Sequence, residues 1–285
     1  MRSLVFDFKL LSFIILSLIF LAANSILCRM ALITSNIDAY TFTFIRVFSG
    51  ALTLLFLYFI KYKKFEVKLK TNWLSSLMLF LYAICFSYSY LNMQAGIGTL
   101  ILFAIVQLSM IIIALFYKEK LTLNKLLGIF IAFSGLAYLL YPKEDFSLSF
   151  EHTLLMVFSG IAWGIYTVLG KKSKDAFFNT SDNFIKASFF AILFFIFFID
   201  FIKVDSFTFL LAFISGALTS AIGYLLWYEV LPKMQIITAS ILQLLVPILA
   251  IVLSIIFLDE KLSLTLVIAT FVILFGILIT LKKGK

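Results

Sequence analysis

The sequence predicts an all-α integral membrane protein of ten transmembrane helices in two inverted five-helix repeats. Three observations carry this reading: the apolar content, the spacing of the apolar runs, and an alignment of the chain with itself. Of 285 residues, 64% are hydrophobic and 13% charged, with a mean hydropathy of +1.15. Soluble domains are nearer half apolar and a quarter charged. No soluble core in a chain of this length hides that much apolar surface, so lipid is the expected solvent for much of it. The formal net charge is +9. It is read as Lys and Arg flanking membrane spans, not as a nucleic-acid interface. Cys28 and Cys85 both lie in apolar runs, and His152 is the only histidine. A disulfide or a metal site is therefore not expected, and no cofactor is called for.

The apolar runs can be taken in order. They are Leu10–Leu32, Thr41–Ile60, Trp73–Leu91, Gly96–Phe116, Lys125–Tyr141, His152–Leu169, Asn183–Phe201, Phe209–Tyr228, Met234–Phe257 and Ser263–Leu281. Each is near the roughly 20 residues that a helix needs to cross a bilayer. Barrel strands would read as alternating segments of about ten. The first run follows Arg2 and Lys9 and is too long for the apolar region of a signal peptide, so it is read as a retained helix. If the N-terminus is cytoplasmic, seventeen Lys and Arg fall on inside segments and four on outside segments, with Arg46 and Lys186 inside spans. This asymmetry predicts both termini in the cytoplasm.

The chain also aligns with itself. Phe44-Ile45-Arg46 recurs as Phe184-Ile185-Lys186, and Met93-Gln94 as Met234-Gln235. Glu119-Lys120-Leu121-Thr122 recurs as Glu260-Lys261-Leu262-Ser263, Gly135 as Gly276, and Arg29 as Lys171. The shifts stay close to 141 residues and keep chain order, which marks an internal duplication. Residues 1–143 and 144–285 are the expected repeats. Five spans per half is an odd number, so the second half must lie upside down relative to the first. That arrangement is familiar from secondary transporters with a site near midplane at the repeat interface.

Polar and aromatic residues inside spans are the candidates for that site. Asn24, Gln107 and Gln243 carry amides that need partners in lipid. With Tyr88, Trp163, Tyr166 and Trp227 they are the expected substrate-binding cavity. The competing reading for each is interhelical hydrogen bonding or aromatic packing. Arg46 and Lys186 are candidate gate or cavity charges, against which stands snorkelling to the headgroups. Glu119 and Glu260 are read as structural turn residues, with Thr122 and Ser263 capping the helices that follow. Asp200 and Glu229 fall at span ends, so no carboxylate is expected at depth. Gly160 and Gly164, and the row Ser215, Thr219 and Gly223, are expected to let helices approach closely. Packing within the fold is the default for these rows, and a homodimer has no specific support. No phosphate loop or zinc-protease motif is present, and His152 lacks an evident nucleophile beside it, so no catalytic residues are assigned.

Several motifs make the chain resemble the EamA family of the drug/metabolite transporter superfamily. They are the two Glu-Lys-Leu-Thr/Ser turns at Glu119 and Glu260, each followed by Gly135 or Gly276, with Ala162-Trp163-Gly164 and Gln243-Leu244-Leu245-Val246-Pro247. The stretch Gly98-Thr99-Leu100-Ile101-Leu102-Phe103 through Val106-Gln107-Leu108 adds to it. The resemblance covers both repeats and implies ten helices, an inner-membrane location, and export or exchange of small organic solutes. The expected function is a secondary transporter for metabolites such as amino acids, not an enzyme, working by alternating access among membrane lipids. The alternative is a membrane-embedded enzyme or lipid-processing protein. The first repeat has Leu21 and Val106 where the second has Trp163 and Pro247, so the first half is expected to be less kinked.

Overall fold

The computed structural model describes residues 8–64, 70, 72–116, 123–141, 148–198, 203–234 and 236–281. Ten helical runs account for nearly all of them, and no strand occurs among the described residues. They are α1 (Phe8–Ile33), α2 (Ala39–Tyr62), α3 (Trp73–Ser89), α4 (Ala95–Phe116), α5 (Leu123–Leu140), α6 (Phe150–Gly170) and α7 (Ala176–Phe198). Then follow α8 (Ser206–Lys233), α9 in two pieces (Ile236–Gln243 and Leu245–Leu258) and α10 (Leu264–Leu281). By length and composition, α1, α2, α4, α6 and α8 are long and apolar enough to cross a membrane, and shorter apolar helices lie in α3, α5, α9 and α10. Large apolar side chains such as Phe130, Phe271 and Phe275 are exposed on the outer faces of α5 and α10. Those faces suit hydrocarbon rather than water.

The helix ends follow local chemistry. Asp38 caps α2 by accepting from the Thr41 N–H, and Asp205 forms a capping box with Thr208 at the start of α8. Ser263 accepts from the Leu266 N–H at 3.1 Å and caps α10, while Thr122 lies outside the described residues. Asp175 accepts from the Phe178 N–H at 2.9 Å, so α7 starts at Ala176 rather than at Asn183. Two further departures from regular helix lie in the second half. Residues Ser215–Ile222 of α8 wind as a π-helix. The helical run of α9 is interrupted at Leu244, three residues before Pro247. Pro247 has no N–H to offer the Gln243 carbonyl, which removes one bond from the ladder there. Val106 holds the corresponding place in α4, and that helix runs unbroken.

Helix contacts repeat between the halves. α3 packs on α6 as α1 packs on α8, α4 on α6 as α1 on α9, and α3 on α7 as α2 on α8. The pairs α2–α7, α4–α9 and α5–α10 each join a helix to its own counterpart five places along. The turns sort by parity. At one end Asn36 of the α1–α2 turn donates to Asp205, before α8, at 3.0 Å, and Glu260 of the α9–α10 turn reaches the start of α4. At the other end Asn72, before α3, donates to Asn179 in the first turn of α7 at 2.9 Å. The Lys171 ammonium, after α6, donates to the Met234 carbonyl, after α8.

Small residues set the closest crossings. The duplicated glycines of α5 and α10 each lie against the opposing helix: Gly135 sits against Val272 and Ile273, and Gly276 against Gly128 and Ala132. Gly160 and Gly164 pack on Leu102, Ile105, Val106 and Ser109 of α4, within the chain. A Cβ on Gly276 would lie 2.5 Å from the Ala132 nitrogen and 2.7 Å from the Gly128 carbonyl oxygen. Gly276→Ala should therefore destabilise the fold by about 1–3 kcal/mol, the usual range for overpacking. Gly96→Ala, whose nearest neighbour is an Ile251 side-chain carbon at 3.1 Å, should melt close to wild type. Thermal melting of the purified protein in detergent distinguishes the two.

Candidate functional site

Between the halves lies a buried polar centre built on α1, α2, α3, α6 and α8. Asn24 of α1 is its first anchor. Its Oδ1 accepts from the hydroxyls of Ser215 at 2.9 Å, Thr219 at 2.6 Å and Ser220 at 3.2 Å. All three come from the π-helical stretch of α8. An i→i+5 winding widens the turn and lets both residues 219 and 220 face α1. Gly223 continues the same face, against Phe20. The row expected to serve close approach thus also supplies hydroxyls.

Arg46 of α2 is the second anchor. The guanidinium is buried, at 1% exposure, so it does not snorkel to a surface. Its Nε donates to Ser220 Oγ at 2.9 Å, and Nη2 donates to Tyr224 Oη at 2.6 Å and Tyr82 Oη at 3.1 Å. The Tyr82 and Phe86 rings lie 5.3 and 5.0 Å from it, within cation–π range. Nη1 has no hydrogen-bond partner. A close approach of α2 to α8 makes this possible, because Gly216 lies against the Arg46 carbonyl and Ser49 with no room for a side chain.

Tyr82 and Tyr224 join the halves. Their hydroxyls lie 3.1 Å apart, and the two positions are 142 residues apart in sequence. That is the shift relating Asn24 to Tyr166 and Arg29 to Lys171. The Trp163 ring stands 4.7 Å from both tyrosine rings, with Tyr166 beside it at 5.4 Å. Trp163 Nε1 donates to Gln243 Oε1 at 2.8 Å, at the place where α9 is interrupted. Asn24, Arg46, Trp163, Tyr166 and Gln243 are thereby connected, with Tyr82, Tyr224 and Ser220 as members the sequence reading did not name.

Other candidates lie elsewhere. Gln107 donates to Ser240 at 2.8 Å and ties α4 to α9, the interhelical bond that was its competing reading. Tyr88 is half-buried, apart from Tyr82 on α3. Trp227 is fully buried on α8, and no hydrogen bond reaches its indole N–H. Glu119 lies outside the described residues. Glu260 accepts from the Ala95 N–H at 2.7 Å and the Gly96 N–H at 3.3 Å, a carboxylate on a helix N-terminus. His152 does meet a hydroxyl, Ser149 Oγ at 2.8 Å, and also Asn92 at 3.0 Å. This exposed set stands at the start of α6 and links it to the α3–α4 turn.

The start of the seventh helix is corrected, and with it a buried carboxylate enters the structure: Asp182 lies two turns into α7, near its first end, with no exposed surface. It falls outside the apolar run that begins at Asn183 because the residues before that run are polar, although Asp175 caps the helix well before them. Asp182 Oδ2 accepts from Lys186 at 2.6 Å and from Asn72 at 2.9 Å, and Lys186 also lies 5.3 Å over the Trp73 ring. Lys186 is thus paired rather than snorkelling. Next to this pair opens a cavity of about 510 Å³, lined among others by Asn72, Ser75, Asn179, Asn183 and Tyr228. Lys172 and Lys174 stand at its walls. Tyr228 separates it from the centre: its hydroxyl donates to the Tyr166 carbonyl at 3.1 Å, and its ring lies 4.9 Å from that of Tyr166.

Comparison with known proteins finds relatives of the chain. The EamA-like transporter family matches the chain twice, at residues 8–141 and 152–282. The uncharacterized protein PA1977 of Pseudomonas aeruginosa is 38% identical over 275 residues, covering 96% of this chain and 95% of its own. A crystal structure superimposes with a TM-score of 0.69 at 15% identity, over 94% of this chain and 99% of that one, which is a likeness of fold.

Removing one member of a buried ion pair leaves a bare charge, which costs about 3–5 kcal/mol. Asp182→Leu alone should therefore destabilise strongly, and Asp182→Leu with Lys186→Met should recover most of the loss. A double-mutant cycle of thermal melting checks this.

Proposed function

The chain belongs to the EamA-like transporter family, and from that premise we propose that it is a secondary transporter of the inner membrane. It exports or exchanges small organic metabolites such as amino acids. Ten spans form two inverted five-helix repeats, residues 1–143 and 144–285, with both termini in the cytoplasm. The observation that carries the reading is the meeting of Tyr82 and Tyr224 over Arg46 and Asn24, where repeat-related helices come together. A polar centre at such an interface serves alternating access, because two copies of one shape in opposite orientation can exchange conformations and open the centre to either side.

The cavity beside Asn72 and Tyr228 belongs to the end bearing Lys171, Lys172 and Lys174, which the distribution of Lys and Arg assigns to the cytoplasm. It is the inner vestibule in this reading, and the Tyr166–Tyr228 contact is the barrier between it and the centre. Asn24, Trp163, Tyr166 and Gln243 line the solute path, Arg46 is the cavity charge, and Lys186 with Asp182 holds the vestibule wall. Glu260 keeps its structural role at the opposite end, fastening the α9–α10 turn to the start of α4.

Flux in proteoliposomes tests the reading. The purified protein should exchange at least one member of a panel of radiolabelled amino acids and short organic acids. Tyr224→Phe and Asn24→Leu should each lower that flux at least tenfold in protein that still purifies as a folded, monodisperse species. Absence of flux across the panel, or flux unchanged in both variants, would contradict it.

A further inference from the structure

Among the described residues, no opposite charge meets the ionised group at the centre. Lys186, the counterpart of Arg46 at a shift of 140 residues, has Asp182 one helical turn before it at 2.6 Å. The residue one turn before Arg46 is Phe42, the counterpart of Asp182 at the same shift. Duplication has thus left a carboxylate in one half and a phenyl ring in the other. Among the described residues, the partners of Arg46 are the hydroxyls of Ser220, Tyr82 and Tyr224 and the faces of Tyr82 and Phe86. All are neutral. A charge buried among helices costs several kcal/mol when no opposite charge meets it, and Nη1 remains unbonded at 1% exposure of the residue.

Resting on the carrier reading above, we propose that the transported solute bears a carboxylate and that this group supplies the missing counter-charge at Arg46. The guanidinium fork matches a carboxylate with two parallel N–H donors, and here Nη1 is available while Nη2 is shared between two tyrosines. The tyrosine hydroxyls are exchangeable partners: each can donate to the incoming oxygens once Nη2 turns to them. Trp163, Tyr82 and Tyr224 offer flat faces to the remainder of the solute, which favours an apolar or aromatic body behind the carboxylate. A cation would meet Arg46 with like charge in low dielectric, so quaternary-ammonium cargo is disfavoured. The inner vestibule is lined by Lys172 and Lys174 against one carboxylate, Asp175, a positive balance that favours anions toward the path.

The test is inhibition of binding and flux by matched acid and amide pairs: L-phenylalanine against L-phenylalaninamide, benzoate against benzamide, and succinate against succinamide. For wild type, at least one acid should bind tenfold or more tightly than its amide, read by thermal stabilisation of the purified protein. Arg46→Gln should bring that pair within about twofold, whereas Arg46→Lys should keep a preference for the acid. Phe42→Asp, which installs at Arg46 the partner that Lys186 already has, should weaken acid binding at least tenfold, while Phe42→Leu should not. Equal binding of acids and amides by wild type across all three pairs, or a preference that survives Arg46→Gln, overturns the inference. Charge-independent flux of neutral solutes would overturn it while leaving the carrier reading intact, whereas absence of any flux would remove both.

Discussion

Hydrocarbon offers a polar group nothing to bond to, so a guanidinium buried in a membrane helix must be solvated by the protein. Arg46 meets that requirement at Nε and Nη2, though not at Nη1, and only with help from three other segments. Tyr82 comes from α3, Ser220 and Tyr224 come from α8, and Asn24 of α1 holds the same hydroxyls from the other side. The bonds around this one group tie α1, α2, α3 and α8 together. This arrangement also requires Gly216 beside the Arg46 carbonyl, since any side chain there would push α8 away from α2. The π-helical winding of α8 belongs to the same constraint, because it turns adjacent residues 219 and 220 toward a single acceptor.

Symmetry gives this centre its place, and departures from symmetry give it its character. The pattern of helix contacts survives exchange of the halves, and Tyr82 meets Tyr224 where they join. Within that frame the second half has the Asp182–Lys186 pair, the proline-linked interruption of α9 and the tryptophan at position 163. The first half has Phe42, a continuous α4 and Leu21 instead. The neutral surroundings of Arg46 among the described residues and the break at Leu244 beside Gln243 are both departures from that symmetry. A chain that kept strict symmetry would have paired both cations or neither.

Much of the architecture was legible before any coordinate. Apolar length placed the helical runs to within several residues at most ends, and the shift near 141 residues identified which helices correspond. The positions of Arg46 and Lys186 within helices could be read directly. What hydropathy could not read was a polar helix start that bonds to a neighbouring helix: Asn179, Asp182 and Asn183 lower the local average, yet they meet Asn72 and Ser76. The π-helical stretch has no periodic signature, so Ser215 and Thr219 looked only small. Glu260 looked like part of a turn because its partners lie 164 and 165 residues away, at the start of α4. Tyr82 and Tyr224 do stand at the repeat shift, but among twelve tyrosines one such coincidence draws no notice until the hydroxyls are seen to touch.

The central claim is that the two halves lie upside down relative to each other around this centre. The turn after the first helix of each half tests it most directly. With Cys28 and Cys85 replaced by serine, single cysteines at Asn36 and at Lys174, both exposed, can be labelled with an impermeant thiol reagent applied to intact cells and to inverted vesicles. The account predicts that Asn36→Cys reacts only from outside and Lys174→Cys only from the cytoplasmic side. Reaction of both positions from the same side would contradict it.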